Sequence, residues 1–285
     1  ANFFSYIFYK DLAELNILTT GTQFPKATEY IQEQIALIQE LEKRGHTYTT
    51  SDGVYFDVDT WKEYGKLGQI DLEGLEAGKR IAHIAEKHTA YDFALWKFSP
   101  TDGSVRQQEW ESPWGKGFPG WHIECSAMSM KLLGETFDIH TGGIDHIPVH
   151  HNNEIAQSES VTGKPLAHLW MHGAFLNWKD KKMSKSDGSF ITLENLKERG
   201  IPALAFRYLL LQSKYRQPIV FDIKSLEASH TAYGRLLSRI YAIYHELPVD
   251  APSNHTQLNN LLRPIEDAML DDLNTAKALA QVWTQ

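Results

Sequence analysis

The chain has 285 residues, of which 22% are charged and 42% hydrophobic, and its formal charge is −8 at pH 7. This composition is typical of a folded globular protein with one large or two ordinary domains, and no apolar run is long enough to cross a bilayer. The acidic balance gives no sign of a generally basic, nucleic-acid-binding surface, although a local basic patch would suffice. The only cysteine, Cys125, excludes an internal disulfide and fits a reducing compartment, so a cytoplasmic location is expected.

The first part of the chain alternates between helical and strand patterns. Apolar side chains recur every three or four positions over residues 2–16 and about 28–44, which predicts two helices, the second ending near Gly45. Their apolar stripes are expected in the core: Phe4, Phe8, Leu12 and Leu15 in the first, and Ile31, Ile35, Ile38 and Leu41 in the second. Alternation over residues 49–59 around Asp52-Gly53 predicts a hairpin.

The second part continues this mixture. Helices are predicted over 72–85, from 191, over 203–212 and within 258–283, and strands over 92–98, 137–140 and the apolar run 168–178. The strand at 137–140 is expected to end in a Gly-rich loop at a ligand-binding sheet edge. A helical stripe is expected to form the core of a bundle: Leu226, Tyr233, Leu237, Ile240 and Tyr244.

One candidate site combines Cys125 with His150 and Glu154. If the segment around residue 150 is helical, His150 and Glu154 are four residues apart and share a face. A thiol, an imidazole and a carboxylate are three of the ligand types that Zn²⁺ accepts. The alternative is a buried apolar cysteine and an ordinary surface pair. A local excess of histidine favours the metal site: His122, His140, His146, His150, His151, His168 and His172.

A second candidate site is the loop Lys182-Met183-Ser184-Lys185-Ser186, followed by a predicted turn at Asp187-Gly188. Lysine ammonium groups can offset the negative charge of a leaving pyrophosphate, and serine hydroxyls can donate hydrogen bonds to phosphate oxygens. The alternative is a solvated basic loop.

The five residues from Lys182 resemble the signature loop of class I aminoacyl-tRNA synthetases, and the surrounding motifs resemble the cysteinyl-tRNA synthetase family in particular. The resemblance covers essentially the whole chain. It rests on these segments, in order: 92–97 (DFALWK), 110–117 (WESPWGKG), 119–128 (PGWHIECSAM), 137–140 (FDIH), 150–151 (HH), 153–159 (NEIAQSE) and 170–172 (WMH).

The resemblance implies one zinc ion held by Cys125, His150 and Glu154, which would bind the substrate thiolate and reject serine. It places Trp121 and His140 in the amino-acid pocket, and Gly143 and Asp145 beside the adenosine. Lys182 and Lys185 become the catalytic lysines, with Lys185 also binding ATP. The implied substrates are cysteine, ATP with Mg²⁺ and tRNA(Cys), with no membrane partner and a monomer expected.

The sequence departs from the family pattern in several places. Thr141 stands where a first of three glycines is usual, Val149 precedes the histidine pair, and Asp187 follows the signature loop. The family's His-Ile-Gly-His motif and a further zinc-ligating cysteine do not occur. We therefore expect a fragment that would be incomplete for adenylation by itself.

The implied fold is α/β: a Rossmann-type nucleotide-binding catalytic domain with an insertion, followed by an α-helical bundle domain. The expected divisions are 1–45, the end of the first half of the catalytic domain; 46–113, the insertion; 114–220, the second half with the signature loop; and 221–285, the start of the helical anticodon-binding domain. The expected function is ATP-dependent attachment of cysteine to its tRNA through cysteinyl-adenylate. One alternative is a ligase that passes cysteine to an amino sugar in mycothiol synthesis. Another is a non-catalytic module that binds nucleotide or RNA.

Overall fold

The computed structural model describes residues 2–69, 86–102, 104, 106–178, 181–182, 191–246 and 255–284, with only the backbone at 181, 182, 255 and 257. Over these residues the α-helices are α1 (Asn2–Glu14), α2 (Ile31–Lys43), α3 (Trp121–Leu133), α4 (Asn152–Thr162), α5 (Leu193–Glu198), α6 (Ala203–Leu211), α7 (Ile223–Glu246), α8 (His255–Leu270) and α9 (Thr275–Thr284). The strands are β1 (Thr47–Thr50), β2 (Gly53–Phe56), β3 (Phe93–Phe98), β4 (Gly117–Pro119), β5 (Phe137–Gly143), β6 (Ala167–Gly173), β7 (Leu176–Trp178), β8 (Lys181–Lys182) and β9 (Ile219–Phe221). The helix predicted over 72–85 and the turn predicted at Asp187-Gly188 lie outside the described residues.

Internal contacts divide the chain into two units, one of residues 23–172 and one of residues 1–22 with 173–285. The divisions expected from the sequence at 45, 113 and 220 stay a prediction. None of the helices in the described ranges combines the length and apolar character that a bilayer span needs.

The core of the unit 23–172 lies between an antiparallel sheet and helices. The sheet has the order β1-β2-β3-β4, and the predicted hairpin is confirmed with Thr50 paired to Gly53. The predicted stripe of α2 is buried, and α2 ends where Gly45 adopts a φ of +80°, a left-handed conformation that favours glycine. Fully buried members of this core are Ile38, Leu41, Val54, Phe56, Leu95, Trp96, Ile123 and Ala156.

The sheet fixes where α3 starts. Gly120 follows β4 directly and donates a backbone hydrogen bond of 2.8 Å to Leu95 of β3, and α3 begins at the next residue. Ile123 and Ala127 bury one face of α3 in the core, so Cys125 is held on a helix whose position the core determines.

The same unit carries a smaller sheet in which β5 pairs with β6, and α4 lies between these strands in the chain. The predicted strand at 137–140 is confirmed, but it continues through Thr141-Gly142-Gly143, so the expected Gly-rich loop is itself strand. The apolar run 168–178 was expected to be one strand and is two, because Ala174 and Phe175 interrupt it. β6 pairs with β5, whereas β7 belongs to the other unit.

In the other unit, β7 pairs with β8 in antiparallel and with β9 in parallel orientation. The predicted helices at 191–199, 203–212 and 258–283 are confirmed as α5, α6 and the pair α8 and α9. The core of this unit is formed by Leu196, Ile201, Ala205, Leu209, Phe221 and Leu226.

Two apolar stripes predicted as core are largely exposed. The first helix, α1, has no buried residue, and Phe4 and Phe8 on it are exposed. On α7, Leu226 is buried, but the side chains of Leu237, Ile240 and Tyr244 are exposed. Helical periodicity identifies an apolar face, but it does not determine whether another element covers that face.

A buried carboxylate ties the sheet to the loop that precedes β3. Asp92 is 2% exposed and accepts hydrogen bonds from Tyr48 Oη (2.7 Å), from Val58 N (3.0 Å) and from both N and Oγ1 of Thr89 (2.8 Å each). A carboxylate that satisfies four donors is hard to replace, because each donor left unpaired in the interior costs free energy.

We expect Asp92→Asn to lower the free energy of unfolding by about 2 kcal/mol, because the amide nitrogen cannot accept from these donors. Urea denaturation measures the change. Asp59→Asn, an exposed carboxylate in the same unit, is the matched control. If both substitutions change the free energy of unfolding equally, the hydrogen bonds of Asp92 do not stabilise the fold more than an exposed carboxylate does.

Candidate metal centre

The candidate metal centre lies where α3 packs against α4. Cys125 is one turn into α3, and His150 and Glu154 lie on the helical segment formed by a π-helical turn, Ile147–His151, and the α4 helix that continues it. Single π-helical turns occur often at functional sites, because the wider turn changes the direction in which side chains point.

The packing brings the three predicted ligands together. The Cys125 sulfur, a ring nitrogen of His150 and a carboxylate oxygen of Glu154 all lie within 4.8 Å of one another. His150 Nε2 is 3.2 Å from Glu154 Oε1, and both side chains are buried, Glu154 to 1% exposure.

The donor set fits a zinc ion. Glu154 Oε1 is buried and has no partner in hydrogen-bond geometry among the described residues. A buried carboxylate oxygen of this kind is costly unless a cation meets it. Sulfur, imidazole nitrogen and carboxylate oxygen are ordinary zinc ligands, and three protein ligands from this chain leave coordination positions for others.

The electrostatics of the pocket favour a cation as well. Burial by itself raises the pKa of Glu154, but the adjacent imidazoles of His140 and His150 outweigh it and lower the pKa to about 2. Burial, reinforced by the negative charges of Glu154 and Glu124, raises the pKa of the Cys125 thiol to about 12. Because a bound metal ion deprotonates a coordinating thiol, Cys125 becomes a thiolate only when a cation offsets these effects.

His122 holds the ring of His150 in place, a role that sequence reasoning did not assign. The Nδ1 atoms of the two rings are 2.8 Å apart, which leaves Nε2 of His150 directed at Glu154. Burial lowers the pKa of His122 to about 4, so its ring is neutral at pH 7. A hydrogen-bond partner at the ring nitrogen that does not bind the metal commonly fixes the orientation of a metal-binding histidine. The excess of histidines in the sequence was the only signal for this role.

The opposite side of Glu154 faces a second group of histidines. His140 Nε2, from β5, lies 2.6 Å from Glu154 Oε2. His151 lies beside them, and its Nδ1 is 2.8 Å from Nε2 of His172 on β6. Gly142 makes this arrangement possible, because a Cβ there would lie 2.6 Å from Cε1 of His151 and 2.7 Å from Nδ1 of His146.

The structure describes the other predicted site residues to different extents. Trp121 is 58% exposed and stacks on the ring of His150 with centroids 4.3 Å apart. Gly143 ends β5, and Asp145 lies on the helical turn that follows with its side chain exposed. Lys182 is described only as backbone in β8, and Lys185 lies outside the described residues.

Two departures from the family pattern fall on exposed positions. The side chains of Thr141, on β5, and of Val149, before the histidine pair, both point to solvent. Neither therefore occupies space that the buried cluster needs. The third departure, Asp187, lies outside the described residues.

Comparison with known proteins identifies relatives. Residues 1–231 match the family model of the class I (C) tRNA synthetase catalytic domain. Cysteine–tRNA ligase 1 of Burkholderia lata is 47% identical over 97% of this chain and 57% of its own length. Cysteine–tRNA ligase of Treponema denticola is 43% identical over 99% of this chain and 61% of its own length.

A solved structure agrees in fold. The methionyl-tRNA synthetase of Mycobacterium tuberculosis, bound by methionyl-adenylate, superposes with a TM-score of 0.63 over 98% of this chain and 68% of that chain, at 14% identity. With the family match, this confirms the predicted fold class as the mixed α/β catalytic domain of class I synthetases.

We expect Gly142→Ala to disrupt the histidine cluster, because the new methyl group must displace the rings of His146 and His151. Such overpacking lowers the free energy of unfolding by about 2 kcal/mol. It should also shift the imidazole NMR signals of the cluster. Thr141→Ala, at the exposed neighbouring position, serves as the control and should change neither. Unchanged imidazole signals in Gly142→Ala would contradict the close approach.

Proposed function

The chain belongs to the family of class I (C) tRNA synthetase catalytic domains, and from this premise we propose that the protein containing it attaches cysteine to tRNA(Cys) in an ATP-dependent reaction. The chain spans about 57% to 61% of the length of the two curated relatives described above. The proposal therefore concerns the whole protein, of which this chain would supply the amino-acid pocket.

The observation that carries the proposal is the convergence of the partly buried Cys125 with the buried His150 and Glu154 beside an exposed tryptophan. The soft thiolate in this donor set favours a borderline-soft metal such as zinc over Mg²⁺ or Ca²⁺. Zinc bound there would supply a thiol-selective contact that distinguishes cysteine from serine, a discrimination that packing alone achieves poorly between near-isosteres.

Side chains of this chain would form the amino-acid pocket and hold its metal ion. Cys125, His150 and Glu154 would hold the metal, and His122 would keep the His150 ring turned toward it. Trp121 would cover the pocket from the solvent side, and His140 would face the amino acid. The rings of the cluster contact one another directly, an arrangement that favours positioning of the substrate over rearrangement of the site.

Adenylation would use residues outside the metal cluster. The cysteine carboxylate would attack the α-phosphate of ATP and release pyrophosphate, and a 3′-terminal ribose hydroxyl of tRNA would then attack the adenylate carbonyl. We assign Gly143 and Asp145 to the adenosine, and Lys182 and Lys185 to the phosphates, where their charge would offset that of the leaving pyrophosphate with Mg²⁺.

The test of the proposal is cysteine transfer to tRNA by the full-length protein with ATP and zinc. Cysteinyl-tRNA formation is expected. Protein that forms cysteinyl-adenylate but transfers no cysteine to tRNA would instead support a ligase acting on an amino sugar. Protein that forms neither product would support a non-catalytic binding module.

We expect Cys125→Ala in the full-length protein to weaken cysteine binding by at least tenfold while changing ATP binding little, because the thiolate ligand touches only the amino-acid side of the site. Equilibrium binding of each ligand separates the two effects. Ser129→Ala, one turn along the same helix, removes a hydroxyl whose hydrogen bonds among the described residues go to backbone carbonyls of α3, and is the matched control. Equal losses for cysteine and ATP would mean that Cys125 is only structural.

A further inference from the structure

The two oxygens of the Glu154 carboxylate face two different sets of metal-binding atoms. Oε1 lies 3.2 Å from His150 Nε2, on the side of Cys125, whereas Oε2 lies 2.6 Å from His140 Nε2. A carboxylate oriented in this way has the geometry of a bridge between two cation positions. Paired metal positions in proteins are commonly about 3.5–4 Å apart and share such a ligand.

The second set is a metal-binding group in its own right. Ligand atoms of His140, His151 and Glu154 lie within 4.8 Å of one another, and His151 and Glu154 are each 1% exposed. His151 Nδ1 lies 2.8 Å from His172 Nε2, and we assign the ligand role to its other ring nitrogen, Nε2. A histidine ligand whose other ring nitrogen is held by a neighbour is the usual arrangement in metal sites.

We propose that His140, His151 and Glu154 form a second divalent-metal position, adjacent to the Cys125 position and sharing the Glu154 carboxylate with it. Its donors are two imidazoles and one carboxylate oxygen, without sulfur. This donor set suits Zn²⁺, Co²⁺ or Ni²⁺ and gives no preference for a soft ion.

The second position should bind more weakly than the first. In the metal-free arrangement His140 Nε2 and Glu154 Oε2 are 2.6 Å apart, which is a hydrogen-bond separation. A metal ion must break that hydrogen bond and spread the two ligand atoms, since each would lie about 2.1 Å from zinc at a tetrahedral angle. The first position needs no such separation, because Glu154 Oε1 has no hydrogen-bond partner among the described residues.

Occupancy of the second position would affect the pocket. This consequence rests on the proposed function, in which His140 faces the substrate amino acid. A metal ion on His140 would take its imidazole away from the substrate, so an excess of zinc should oppose cysteine binding. The first position would therefore support binding of the amino acid, and the second would inhibit it.

The test is a Co²⁺ titration of metal-depleted full-length protein, followed by absorption spectroscopy and by direct ion counting. We expect a first ion with an intense thiolate-to-cobalt band, and a weaker second ion that adds only weak d–d absorption. His151→Gln should bind one ion fewer and keep the thiolate band. His140→Gln, which removes the other imidazole, should give the same count as His151→Gln.

The controls separate this inference from the proposed function. His168→Gln removes an exposed histidine of β6, and this variant should bind as many ions as the unmodified protein does. If unmodified protein, His151→Gln and His140→Gln all bind the same number of Co²⁺ ions per chain, the second position is overturned, whether or not the first ion gives the thiolate band. Absence of the thiolate band from unmodified protein would instead contradict the Cys125 centre on which the proposed function depends.

Discussion

A carboxylate that is almost wholly removed from water has to meet partners on every side, and the site of this protein is arranged around one such group, that of Glu154. Its pKa stays low because His140 and His150 offset the effect of burial. The remaining oxygen is directed at Cys125 and His150 without a hydrogen bond of its own among the described residues. A positive charge at that point would complete the arrangement, and a zinc ion supplies it most simply.

The fold provides this arrangement through a few close backbone contacts. β4 and Gly120 fix the start of α3 against the sheet, and so fix Cys125. A π-helical turn carries His150 into α4, and Gly142 lets β5 approach His151 without a side chain between them. The buried Asp92 holds the loop before β3 to the same sheet. The pocket therefore depends on the packing of the unit 23–172 as much as on its ligands.

Much of the fold could be predicted from the sequence, because most elements have clear periodicity and end signals. The buried stripe of α2, its stop at Gly45 and the hairpin at residues 47–56 follow directly from such patterns. The exposed faces of α1 and α7 could not be predicted, since amphipathicity does not say what covers a face. The break between β6 and β7 after Gly173 could not be predicted either, because no proline or run of charged residues marks it. At the site, residue types and spacing were enough to select Cys125, His150 and Glu154, which the structure brings together, whereas the contacts of His122 and His172 depend on the approach of separate elements.

The most direct test of this account is zinc-edge X-ray absorption of the full-length protein, alone and with cysteine or serine added. The account predicts that cysteine increases the number of sulfur ligands on zinc by one, whereas serine leaves it unchanged. It also predicts that Cys125→Ser removes one sulfur ligand from the substrate-free protein. A sulfur count that does not change when saturating cysteine is bound would contradict the role assigned to Cys125, His150 and Glu154.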